Sequence, residues 1–143
     1  MSNTAAWAGG DPWYGVKKCL SILHSYGSSI RTFVACEGNG TFTLVPGDVG
    51  LSARTQEITR QGPSSSDFAI VSAVWGAAEI RDTTVYQAIY DYKRNGTQIP
   101  FNNILFGKDT YYGEQKSGVI WYTQDNFKTF KSIYGRESST ASF

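Results

Sequence analysis

The run Phe68-Ala-Ile-Val-Ser-Ala-Val-Trp75 constrains this chain more than any other segment, because it is the most apolar stretch and carries no charge. Its length and its Val and Ile content read as a central strand buried on both faces. A strand of that kind needs partners on either side, so the remaining sequence must supply further strands. The 143 residues correspond to a single domain, 1–143. Aromatic residues make up 15% of the chain and charged residues only 17%, against about a quarter in an average domain. That balance excludes a disordered chain and a long coiled coil.

Strand signals flank the central run on both sides. Val16–Ser25 and Ile30–Cys36 read as a hairpin, with Gly27-Ser28 as a two-residue turn in which glycine accepts positive φ. Thr41–Val45 is predicted as a third strand, and Arg54–Arg60 as a weak edge strand within the long polar stretch 46–67. Asp82 is placed to cap a helix over 83–94. Val85, Ala88, Ile89 and Tyr92 share one helical face, and Gly96 stands at the C-cap. Lys116–Gln124 and Phe127–Tyr134 predict a second hairpin around Asp125-Asn126, with a last strand over Ser138–Phe143. The expected fold is mainly β, an antiparallel β-sandwich or barrel with one α-helix.

Two segments resemble one another. Asp11-Pro-Trp-Tyr-Gly-Val-Lys-Lys18 and Asp109-Thr-Tyr-Tyr-Gly-Glu-Gln-Lys116 share Asp, an aromatic, Tyr, Gly and Lys at the same spacing. Each is followed by a strand, with Ile22 matching Ile120. Arg31-Thr32-Phe33 then matches Lys128-Thr129-Phe130, and Glu37 matches Glu137. The pattern predicts a pseudo-two-fold repeat of halves 11–45 and 109–143, linked by 46–108 with the central strand and the helix. As architecture, the aromatics would plug the ends of the fold. As function, each loop would be half of a duplicated ligand site.

The hairpin register follows from its turn. If Gly27-Ser28 is the loop, Tyr26 faces Ser29, His24 faces Arg31 and Cys19 faces Cys36, within disulfide reach. The N-terminus has no basic and apolar leader, so cytoplasmic residence is expected, with a secreted mature form as the alternative. In that compartment the two cysteines are expected to be reduced, half-buried thiols. His24 has no carboxylate near it in sequence to orient it as a general base. Tyr86, Tyr90 and Tyr92 are expected as core or interface residues of the helix. No catalytic motif, cofactor fingerprint or metal-ligand spacing occurs, and no apolar run is long enough to span a bilayer.

Net charge is +1, which gives no nucleic-acid footprint. An Asp beside paired aromatics offers acceptors for hydroxyl groups and a face for stacking, and sugars need both. The candidate ligand-binding residues are therefore Asp11, Trp13 and Tyr14 in the first copy and Asp109, Tyr111 and Tyr112 in the second, with Asn102 and Asn103 adding amide contacts. A lectin-like carbohydrate-binding protein is expected. Its partners would be glycans or another small hydroxylated or aromatic ligand, and a homo-oligomer would raise its avidity. The alternative is a small cyclase- or isomerase-type enzyme that holds a hydrophobic metabolite in an aromatic-lined β-barrel pocket.

Overall fold

A computed structural model describes residues 18–26, 29–37, 56–57 and 67–143 of the chain. Strands β1 (Cys19–Tyr26), β2 (Ser29–Cys36) and β3 (Gln56–Glu57) form one sheet in the order β1-β2-β3. Strands β4 (Ala69–Trp75) and β5 (Ala78–Ile80) precede helix α1 (Thr83–Asn95) and β6 (Ile99–Pro100). Then come β7 (Ser117–Thr123), β8 (Lys131–Arg136) and β9 (Thr140–Ala141). The second sheet runs β5-β4-β7-β8, and β6 pairs with β9 in a small third one. All strand pairings are antiparallel, and among the described residues no sheet closes into a barrel. Among the described residues the fold is mainly β with one helix.

Strands β1 and β2 pair in the expected register. Tyr26 faces Ser29, His24 faces Arg31 and Cys19 faces Cys36. The two cysteines are joined in a disulfide, their Cα atoms 4.0 Å apart, which corrects the expectation of reduced thiols. Pairing puts the sulfurs side by side, and oxidation then needs no movement of the backbone. The edge strand expected over Arg54–Arg60 is present as β3, whereas the strand expected over Thr41–Val45 lies outside the described residues.

Strand β4 is buried along its whole length, between β5 and β7. Gly76 has φ +55 and its N–H donates to Ser117 O at 2.9 Å, so the chain turns tightly and β5 folds back on β4. Trp75 thus leads directly into a hairpin, facing Ala78 across the turn. Asp82 caps α1 by accepting from Thr84 N at 2.9 Å, and Gly96 closes the helix in the left-handed region. Val85, Tyr86 and Ile89 enter the core with Trp75, Phe101, Phe106 and Ile120. Tyr86 joins α1 to the sheet: its hydroxyl donates to Ile80 O at 2.9 Å and accepts from Ala73 N at 3.1 Å. Burial pushes this phenol up to about 12. Tyr90 packs its ring 5.9 Å from Phe68, and Tyr92 lies partly buried against the same core.

The second hairpin departs from its expected bounds. Asp125 Oδ1 accepts from the backbone N–H groups of Lys128 and Thr129 at 3.1 and 2.9 Å, and the Thr129 hydroxyl donates to Oδ2. These bonds, led by the Thr129 hydroxyl, pull the carboxyl down to about 2. They curl residues 124–130 into a turn, and β8 starts only at Lys131. The match of Arg31-Thr32-Phe33 to Lys128-Thr129-Phe130 therefore fails in the strands. Ile120 faces Ile133 just as Ile22 faces Phe33. Gly118 and Gly135 stand opposite one another, and a Cβ on Gly135 would come within 2.5 Å of the Phe101 ring. Side-chain-free positions in two neighbouring strands thus make room for that buried ring.

The two sheets touch along one seam, where Trp121 Nε1 donates to Ser21 Oγ at 3.4 Å. Glu79 is turned into this seam with its side chain only 7% exposed. It accepts from the Ser72 hydroxyl at 3.2 Å, with Thr32 and Arg81 beside it. Burial outweighs these partners and raises its pKa. A carboxyl whose folded-state pKa is raised stabilises the protein below its ordinary value, and that stability is lost as pH rises through the folded value. Glu79→Gln, which stays neutral, is expected to melt above the parent at pH 7, with the gap closing in acid. Thermal denaturation across pH 4–8 checks the sign. Removing the disulfide, which closes a separation of 17 residues, by Cys19→Ser is expected to cost about 3 kcal/mol in denaturant titrations.

Candidate functional site

Trp75 organises one end of the second sheet. Its indole is fully buried and stacks on Phe106, with centroids 4.7 Å apart and planes 12° from parallel. Its Nε1 donates to Asn103 Oδ1 at 2.8 Å, and its carbonyl accepts from the Thr110 hydroxyl. One residue therefore holds both the Asn102-Asn103 turn and the Asp109 loop. Asn102 shapes its own turn, accepting from Leu105 N at 2.8 Å through Oδ1. Ile104, inside that turn, is 90% exposed.

Lys116 holds the Asp109 loop from within. Its side chain is 3% exposed, and its Nζ lies 3.1 Å from Asp109 Oδ1 and 3.4 Å from Glu137 Oε2. The same ammonium donates to Glu114 O at 2.9 Å and to Tyr111 O at 3.5 Å. Burial alone would lower its pKa, but the bonds to Asp109 and Glu137 prevail and the net shift is upward. Asp109 Oδ1 also accepts from Tyr111 N at 3.0 Å, and this bond, with Lys116 behind it, lowers the carboxyl's pKa. Asp109 thus faces the loop's interior with one oxygen while its side chain remains 32% exposed.

Between the carbonyls fixed by Lys116 lie Tyr112 and Gly113. Gly113 has φ +78, a conformation that suits glycine, and the Tyr112 ring points outward with 93% of its surface exposed. Tyr111, next to it in the chain, is half-buried. The fold therefore brings Asn102, Asn103, Asp109, Tyr111 and Tyr112 to one end of β4 on two tethered turns. Asp11, Trp13 and Tyr14 lie outside the described residues.

A latch with the same bonds closes each hairpin. Glu137 N donates to Lys116 O at 2.7 Å and Lys116 N donates to Glu137 Oε2 at 3.2 Å. Glu37 N donates to Lys18 O at 2.7 Å and Lys18 N to Glu37 Oε2 at 3.3 Å, with the ammonium 3.3 Å from the same carboxylate. Sequence reading missed Trp75, Thr110 and the Lys–Glu pairing. The signal for the last was present, since Lys18 and Lys116 each precede the first strand of a hairpin and Glu37 and Glu137 each follow the second.

Among the described residues no group of three His, Cys, Asp or Glu side chains could hold a metal ion, and no helix is long and apolar enough to cross a membrane. No family model, curated protein or solved structure matches the chain.

Lys116→Met removes the ammonium while keeping the alkyl stem. It is expected to cost about 2 kcal/mol, below the figure for a fully buried pair because both carboxylates keep some solvent. It should also open the loop to chymotrypsin at Tyr111 and Tyr112. Because the Lys116 pKa is raised, the network's contribution is complete below the ordinary lysine value and is lost as pH rises through the raised one. Protection of the loop in the parent protein is therefore expected to persist from neutral pH to about pH 10.

Proposed function

We infer that the chain is a carbohydrate-binding protein of lectin type, with a binding surface on the turns of Asn102-Asn103 and Asp109–Gly113. The observation that carries this reading is Tyr112, 93% exposed on a turn whose flanking carbonyls are held by a buried ammonium. A ring displayed this way loses little freedom on binding, and it offers a flat face to the C–H patch of a pyranose. The exposed part of Asp109 would accept from sugar hydroxyls, and the amide N–H groups of Asn102 and Asn103 would donate to them.

The two latched hairpins support reading them as copies of one unit, arranged as a sandwich with a pseudo-two-fold axis. On that reading Asp11, Trp13 and Tyr14 form a second, unequal sugar site. Two weak sites on one chain, multiplied in a homo-oligomer, would give avidity.

The test is a glycan array probed with the parent protein and Tyr112→Ala. Coherent binding to glycans sharing a terminal sugar is expected, weakened up to about tenfold in the variant, with the melting temperature unchanged because the ring touches little of the fold. Asp109→Ala is the poorer probe, since it also removes a partner of Lys116. Silence across the array with the parent protein would sink the reading, and binding unchanged in the variant would remove Tyr112 from the site.

A further inference from the structure

A concave surface lies at the seam between the two sheets, and Tyr112 is not among the residues that line it. It is a cleft of about 210 Å³, and both hairpins contribute matching positions to its walls. Counted from each Lys–Glu latch, the first strand residues are Cys19 and Ser117, and the third pairs are Ser21 with Val34 and Val119 with Tyr134. All six line the cleft. The first hairpin gives it an aliphatic side. On the second side stand Trp121 and Tyr134, and the Tyr134 ring is 79% exposed at the rim.

We propose that this seam cleft binds a small neutral aromatic molecule, a single ring or two fused rings bearing one N–H or hydroxyl group. Size supports this, because an apolar cavity of about 150 Å³ takes up benzene, and this cleft is somewhat larger. Charge supports it too: among the described residues none that lines the cleft is ionised, so a charged ligand would lose its hydration without compensation. Trp121 and Tyr134 offer ring faces and edges for stacking. Ser21, whose Oγ already accepts from Trp121 Nε1, supplies a hydroxyl for the ligand's polar group. An apolar wall with few polar groups is the usual make-up of a small-molecule site. The proposal does not depend on sugar binding at Tyr112.

The test titrates the full chain with indole, followed by ligand-observed NMR and thermal shift, with benzoate as the anionic control. The variants are Val119→Phe, which fills the cleft from β7, and Tyr134→Ala, which removes a ring that is mostly in solvent. Saturable indole binding with a Kd of about 1 mM is expected in the parent. Benzoate should not bind, Val119→Phe should abolish indole binding, and Tyr134→Ala should weaken it up to about tenfold. If Val119→Phe does not fold, Tyr134→Ala alone decides. Absence of saturable indole binding to the parent overturns the proposal. So does uptake of benzoate as tight as that of indole, or indole binding that Tyr134→Ala leaves unchanged.

Discussion

A primary ammonium taken out of water loses several kcal/mol of hydration unless partners replace it. Lys116 meets that condition with two carboxylates and two carbonyls, drawn from four places in the chain. Asp109 begins the loop, Tyr111 and Glu114 lie along it, and Glu137 follows β8. The loop's path, the start of β7 and the end of β8 are thereby fixed relative to one another. Gly76 shares this dependence, because a Cβ there would lie 3.1 Å from the Lys116 stem and 2.6 Å from Thr110 Oγ1. The tight β4–β5 turn and the Asp109 loop consequently fit only as a pair.

The second sheet presents two chemically different faces. On one, Ile70, Ala73, Trp75, Ile120 and Ile133 pack into the core under α1. The other face, with Ser72, Val74, Glu79, Val119 and Trp121, meets the first sheet at a seam that is partly polar and partly open. The difference follows from the sequence of β4, whose bulge between Ile70 and Ser72 changes which residues share a face. A dry, well-packed face stabilises the fold. A seam that holds a buried carboxylate and a cleft is less closely packed and contributes less to stability.

Local chemistry made much of this fold legible. In an antiparallel pair one match fixes all the others, so Tyr26 opposite Ser29 determined eight strand pairs, Cys19 with Cys36 among them. Asp82 and Gly96 marked the helix ends because caps satisfy backbone groups that every helix leaves open. What stayed hidden depended on side chains acting at a distance. Asp125 captures backbone N–H groups that would otherwise pair in β8, and no hydrophobic alternation reports that competition. Ala78-Glu79-Ile80 is too short, and its charge too central, to read as a strand. Disulfide geometry was legible, but the oxidation state was inferred from compartment, which the residues themselves do not encode. In the candidate site, the aromatic of the Asp-x-aromatic-Tyr-Gly motif proved half-buried and the Tyr after it fully displayed. The motif's Asp, expected at the ligand, also carries a structural bond to Lys116 that spacing alone does not report.

That inward bond changes what the repeated motif means physically. If Asp109 faced solvent, the loop would rely on a ligand to order it, and binding would carry the entropic cost of fixing the chain. With Asp109 and Glu137 closed on Lys116, the ordering is complete before any ligand arrives. The spacing between Asp109 and Lys116 is then a structural requirement of the loop, since it closes the ion pair. The turn between the two carbonyls that Lys116 holds therefore displays Tyr112 from a frame the protein builds by itself.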